Sequence, residues 1–176
     1  ASGKTAASRS REQIAAWASA ESTLRALVLI GSRVRDRGPL AADSYYDWDF
    51  QVVTDRPEMF LEAQWLESAS GQPPLAYVAR MGRLGSAIKV TVVARGGELD
   101  LVVIPTRQLK QIKWLLRMGL ASRVGRVREG LGHLAVVIRP GYRLVKGESE
   151  WGKFFRRVAT EFPSPRFDNA AVRRLA

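Results

Sequence analysis

Short apolar runs bounded by turn residues predict five strands along the chain. The first run, Leu24–Ile30, is closed by a glycine, and the second, Asp47–Thr54, reads DWDFQVVT. The runs SAIKVTVVA and ELDLVVI flank Gly96 and Gly97, a pattern that predicts a hairpin with the two glycines in its turn. A last run, HLAVVIR at 133–139, predicts a short strand that ends before a proline.

Four other segments have apolar residues spaced three and four positions apart, which predicts amphipathic helices. These segments are Ser10–Ser22, Arg56–Ala69, Thr106–Leu120 and Ser149–Phe162. Trp17, Trp65 and Trp114 lie among the apolar residues of the first three segments. We therefore expect all three tryptophans to lie in the core.

The order of these elements is α-β-β-α-β-β-α-β-α, which predicts an α/β or α+β fold. We expect a mixed sheet with helices mainly on one face. Residues 10–162 are predicted to form this domain, and the small, polar residues 1–9 a flexible lead-in. Residues 163–176 are predicted to be a linker followed by the start of a short or truncated C-terminal helix.

Two aspartates, Asp47 and Asp49, interrupt the second predicted strand. Residues two apart on a strand face the same side, so their carboxylates should lie a few ångströms apart and repel each other. A divalent cation removes this repulsion, and Mg²⁺ prefers one or two carboxylates together with phosphate oxygens and water. Asp100, a lone acid in the apolar run of GELDLVVIP, is the candidate third acid. The pattern predicts a site for Mg²⁺ or Mn²⁺ on these strands.

A Gly-Ser pair, Gly31 and Ser32, directly follows the first predicted strand. Glycine lets a backbone approach a ligand closely, and the nearby N–H groups and the serine hydroxyl can bind phosphate oxygens. Arg33 begins a basic loop that offers further contacts to phosphate. An alternative is that this loop is merely a solvated basic segment.

The balance of charge bears on the class of ligand. The chain has 28 Lys and Arg against 17 Asp and Glu, a net charge of +11, which attracts nucleotides, nucleic acids and acidic surfaces. Cysteine is absent, which excludes disulfides and cysteine-ligated zinc and fits a cytoplasmic location. No apolar run approaches the ~20 residues of a membrane span, so no membrane partner is expected.

Together these motifs resemble a known superfamily. A strand, GSR, a loop, DWDF and an aspartate in a later strand are similar to the nucleotidyltransferases of the DNA polymerase β-like fold. The sequences of these motifs most resemble those of the aminoglycoside 6-adenylyltransferase (streptomycin adenylyltransferase) family. The resemblance is carried by LIGSR, DSYYDWDFQVVTD, GQPP and GELDLVVIP. The similarity runs from about Leu24 to Pro105, and it is fainter beyond.

The resemblance implies a role for each matching residue. Gly31 and Ser32 would contact the triphosphate, and Asp47 and Asp49 would hold Mg²⁺. Asp100 would complete the metal site or act as general base on the acceptor hydroxyl. The implied reaction transfers a nucleoside monophosphate in line, with two metal ions and release of pyrophosphate.

The expected function is therefore the transfer of AMP from ATP to a hydroxyl of a small acceptor such as an aminoglycoside. One alternative is a nucleotidyltransferase that modifies RNA or protein, which the positive charge favours. Another is a non-catalytic domain of the same fold that binds a nucleotide or nucleic acid.

Overall fold

The computed structural model of the protein describes residues 6–31, 34, 47–82, 87–95 and 97–162, with the backbone alone at 6–11 and at Asp47. The helices are α1 (Ala6–Ala20), α2 (Gln64–Ser70), α3 (Thr106–Arg117), α4 (Gly125–Ile138) and α5 (Glu148–Glu161). The strands are β1 (Leu24–Ile30), β2 (Asp47–Thr54), β3 (Ala76–Met81), β4 (Ile88–Ala94), β5 (Gly97–Pro105) and β6 (Tyr142–Lys146). Two 3₁₀ turns lie at Pro57–Phe60 and Ala121–Arg123.

The strands form one mixed sheet in the order β3-β4-β5-β2-β1-β6. The central neighbours β2 and β5 run parallel, and the other neighbouring pairs are antiparallel. The predicted mixed α/β class is therefore confirmed. Among the described helices, none is long and apolar enough to cross a membrane.

Helices pack on both faces of the sheet, whereas the sequence led us to expect them mainly on one. On the first face, α1, α2 and the first 3₁₀ turn cover alternate residues of the strands, including Leu29, Phe50 and Leu101. On the second face, α3, α4 and α5 cover the residues between them, including Val28 and Val53. The two-residue period of a strand sends neighbouring apolar side chains to opposite faces, so continuous runs such as β1 need cover on both sides.

The predicted strand HLAVVIR is wrong, because the structure places it in helix α4. Three consecutive β-branched residues favoured a strand, but Leu131, Ala135 and Ile138 recur at helical spacing and are buried against the sheet. The strand of this region is β6, which follows the turn at Pro140 and Gly141 and pairs with β1. Strand β3 was not predicted either.

Three other predictions need correction in detail. The helix predicted at Arg56–Ala69 divides into the 3₁₀ turn at Pro57–Phe60 and α2, and α1 begins at Ala6 rather than at Ser10. Trp65 is buried as predicted, but Trp114 is 57% exposed on the surface of α3. The predicted C-terminal linker and helix at 163–176 lie outside the described residues.

Candidate functional site

The site is centred on the parallel strand pair β2 and β5, where Asp49 lies directly opposite Asp100. Their side chains are on the second face of the sheet, because the residues that directly follow them, Phe50 and Leu101, belong to the core of the first face. Neighbouring strands are about 4.8 Å apart. The two acids predicted from separate strands are thus brought side by side.

Gly31 lies at the end of β1, where the preceding Ile30 is paired with Asp49. Its φ of +87° is in the left-handed region, which favours glycine. A Cβ at this position would lie only 3.0 Å from Oδ2 of Asp49. The N–H of Val34 donates to the carbonyl oxygen of Gly31 at 3.3 Å, so the chain turns directly after the strand. The glycine therefore lets this turn lie against the carboxylate.

Asp100 is held in place by two side chains of the neighbouring strand β4. The hydroxyl of Thr91 donates to Oδ1 of Asp100 at 2.6 Å, and Nζ of Lys89 lies 3.2 Å from Oδ2. The Asp100 side chain remains 30% exposed. A carboxylate that is oriented by a hydroxyl and an ammonium group, and is still accessible, suits a role in binding or proton transfer.

Among the described residues, the second face of the sheet is exposed on β3, beside these acids. On β3, Val78 is paired with Thr91 and is 54% exposed, and the flanking Ala76 and Arg80 are exposed too. Helices α3 and α4 instead pack farther along β2 and β5, towards Val53 and Ile104. Within the part of the chain that the structure describes, the carboxylate pair therefore lies between a half of the sheet that helices cover and a half that is exposed.

The structure describes only part of the site that the sequence predicts. Ser32, Arg33 and the side chain of Asp47 lie outside the described residues, although the backbone of Asp47 is paired with that of Glu98 in β5. Among the side chains that the structure describes, no group of three or more acids or histidines is arranged to hold a metal ion. Two adjacent carboxylates nevertheless match the one or two that Mg²⁺ takes when substrate phosphates and water complete its shell.

Three polar residues of the site were missed by the sequence analysis: Lys89, Thr91 and Gln51. The hairpin contained a signal for the first two. Once Ala94 is paired with Gly97 across the turn, the residues three positions away from the turn on each strand are also paired. Thr91 therefore lies opposite Asp100. Gln51 is a polar residue inside an apolar strand, two positions after Asp49 and on the same face.

No family model and no curated protein sequence matches this chain. The resemblance to the nucleotidyltransferases therefore depends on the sequence motifs, and the arrangement of Gly31, Asp49 and Asp100 is the structural observation that bears on it.

Proposed function

We propose that the protein is a metal-dependent nucleotidyltransferase that transfers AMP from ATP to a hydroxyl of a small acceptor, such as an aminoglycoside. One observation carries the proposal. Asp49 and Asp100, 51 positions apart in sequence, are neighbours across a parallel strand pair, and the glycine turn of Gly31 lies against the first of them. Carboxylates beside a turn that can approach phosphates are what a metal–nucleotide complex requires.

Asp47 and Asp49 would hold the metal ion, and Asp100 beside them would complete the metal site or act as the general base. When bound, Mg²⁺ neutralises phosphate charge and polarises the α-phosphoryl group. The left-handed backbone of Gly31, which has no side chain, would let the phosphates approach closely. Asp100, oriented by Thr91, accepts the proton of the acceptor hydroxyl as the acceptor oxygen bonds to the α-phosphorus and the bond to pyrophosphate breaks.

The positive charge of the chain matters differently for the two substrates. A net charge of +11 attracts the triphosphate but repels a polycationic aminoglycoside. Most of the surface would therefore repel such an acceptor, and we expect it to bind only near the acids.

The direct test is incubation with ATP labelled at the α-phosphate, Mg²⁺ and separate panels of aminoglycosides, transfer RNAs and proteins. We expect labelled product and pyrophosphate with the aminoglycoside panel. The same reaction without metal should give none. Hydrolysis to labelled AMP alone, or no release of pyrophosphate with any panel, would contradict the proposal.

A second candidate is nucleotidyl transfer to RNA, and the surface around Trp114 favours it. Beside this exposed ring lies a recess of about 460 Å³ lined by basic side chains. The basic residues of this recess are Lys110, Lys113, Arg117, Lys153 and Arg157. Cations that contact phosphates around an aromatic ring that can stack on a base are typical of single-stranded nucleic acid binding.

The two candidates differ in the effect of Trp114→Ala. If RNA is the acceptor, this variant should weaken RNA labelling, whereas Met118→Ala, equally exposed near the end of the same helix, should not. If an aminoglycoside is the acceptor, neither variant should change transfer. Equal effects of both variants on RNA labelling would remove the argument for this surface.

A further inference from the structure

A cavity of about 250 Å³ lies between the second face of the sheet and helices α3 and α4. Its floor is formed by Gln51 of β2 together with Val102 and Ile104 of β5. Its opposite wall is mainly apolar and includes Leu109, Ile112, Leu131 and Leu134. A mainly apolar cleft with few polar groups is the usual form of a site for a small organic ligand.

The cavity begins next to the carboxylate pair. Gln51 is two residues after Asp49 on the same face of β2, and its partner on β5 is Val102, two residues after Asp100. At about 3.3 Å per residue, the floor of the cavity begins about 7 Å from the carboxylates along the strands. A ligand with one end at the acids can therefore place its other end in the cavity.

Gln51 provides the polar group of this floor. Its side chain is buried, with 5% of the residue exposed, and Oε1 has no hydrogen-bond partner among the residues that the structure describes. A buried oxygen without a partner is costly, and the great majority of such groups in native proteins are paired. A ligand that donates a hydrogen bond to Oε1 would remove this cost, so the orphaned oxygen marks a binding position for a donor.

The residues that line the cavity suit the nucleotide better than they suit the acceptor. Among the described residues that line the cavity, none is acidic, so it does not suit a polycationic acceptor. Apolar walls suit the faces of a flat heterocycle. A glutamine carboxamide is one of the side chains that pair in a bidentate manner with the N6 amino group and N7 of adenine. Guanine would instead present its O6 oxygen to Oε1, acceptor against acceptor.

We propose that this cavity binds the nucleobase of the triphosphate, and that Gln51 selects adenine by accepting a hydrogen bond from its N6 amino group. The proposal rests on the proposed function, because the carboxylate pair must hold the phosphates of the same molecule. It adds the place where the base of this nucleotide is held and a residue that selects it.

The test is the affinity of the protein for Mg-ATP, Mg-GTP and Mg-tripolyphosphate, measured by calorimetry for wild type and Gln51→Met. The variant keeps the length of the side chain and lacks the carboxamide. We expect a loss of about 10- to 100-fold in ATP affinity, an ATP preference over GTP reduced towards unity, and unchanged tripolyphosphate affinity. Gln111→Met, on the exposed side of α3, should change none of these.

The variant should fold, because methionine is apolar and close to glutamine in length and volume; thermal unfolding checks this. A measurement on the wild-type protein gives an independent test: adenosine should compete with ATP more strongly than guanosine does. Equal binding of ATP and GTP by wild type, or an unchanged ATP affinity in Gln51→Met, overturns the nucleobase assignment and leaves the proposed function standing. A wild-type protein that binds neither ATP nor tripolyphosphate overturns both.

Discussion

At the scale of single residues, Gly31 is a position where one added methyl group should affect both the backbone and the carboxylate of Asp49. Its φ of +87° disfavours any side chain, and a Cβ would lie 3.0 Å from Oδ2 of Asp49. We expect Gly31→Ala to lose about 1–2 kcal/mol of unfolding free energy from backbone strain. It should also weaken Mg-ATP binding, because the carboxylate must move away from the new methyl group. Chemical denaturation and calorimetry measure the two effects.

Gly71 provides the matched control for this variant. It has a φ of +69°, and nothing lies within 4 Å of the position of its Cβ. Gly71→Ala should therefore lose a similar unfolding free energy and keep its affinity for Mg-ATP. If Gly31→Ala binds Mg-ATP as well as this control does, the turn after β1 is not part of the site.

The lowered pKa of Glu21 should make the stability of the protein depend on pH. Hydrogen bonds from the backbone N–H and the hydroxyl of Thr23, at 3.0 and 2.7 Å, lower the pKa of this carboxyl below its usual range. A carboxyl group whose pKa is lower in the folded state stabilises that state at every pH above its pKa in the unfolded state. This contribution is lost as the pH falls through the pKa of the folded state. The stability advantage of wild type over Glu21→Gln should thus be constant above about pH 5 and disappear in acid. Urea unfolding from pH 7 to pH 3 measures it; an advantage that is unchanged at pH 3 would contradict it.

At the scale of elements, an aromatic cluster joins the helices of the first face to the edge strand. The rings of Trp17, Phe60 and Trp65 pack together, and Tyr77 of β3 links two of these residues. Nε1 of Trp65 donates to the hydroxyl of Tyr77 at 2.8 Å, and that hydroxyl donates to the carbonyl oxygen of Phe60 at 2.7 Å. The segment that the sequence predicted as one helix therefore serves to cover the sheet with aromatic rings.

The fully buried Phe60 tests this role. Phe60→Ala should lose about 3–5 kcal/mol of unfolding free energy, the usual range for removing a buried phenylalanine ring. The neighbouring Leu61 is 49% exposed, and Leu61→Ala should change stability by less than about 0.5 kcal/mol. Denaturant titrations of the two variants decide the matter, and equal losses would show that Phe60 is not part of the core.

The same elements show how far sequence patterns predict this fold. Strands β1 and β2 were predicted with the bounds that the structure has, because each is an apolar run with an abrupt polar or glycine boundary. Helix α4 was not predicted, because its valines favour a strand locally. The helix is stabilised by burial of its apolar side against the sheet, which a local pattern does not show. Asp49 and Asp100 were recognised as unusual acids, but their pairing follows from the parallel register of β2 and β5, which no local pattern specifies.

At the scale of the whole molecule, the net charge of +11 should influence substrate binding over a long range. The Debye length falls from about 10 Å at 0.1 M salt to about 3 Å at 1 M. We therefore expect the affinity for ATP to fall as salt is raised, whereas binding of uncharged adenosine should change little. Calorimetric titrations at increasing salt concentrations measure this. Equal salt dependence of the two ligands would show that the field of the protein does not contribute.

The central claim is that the protein transfers a nucleoside monophosphate at a site that contains the carboxylates of Asp49 and Asp100. The most direct measurement is pyrophosphate release and label transfer from α-phosphate-labelled ATP to streptomycin, comparing wild type, Asp100→Asn and the control Asp55→Asn. Asp55 follows the opposite end of β2 and pairs with Arg25, away from the site. We predict transfer by wild type and by the control, and a kcat at least about 100-fold lower in Asp100→Asn with little change in ATP affinity. Transfer by Asp100→Asn at the wild-type rate would contradict the account.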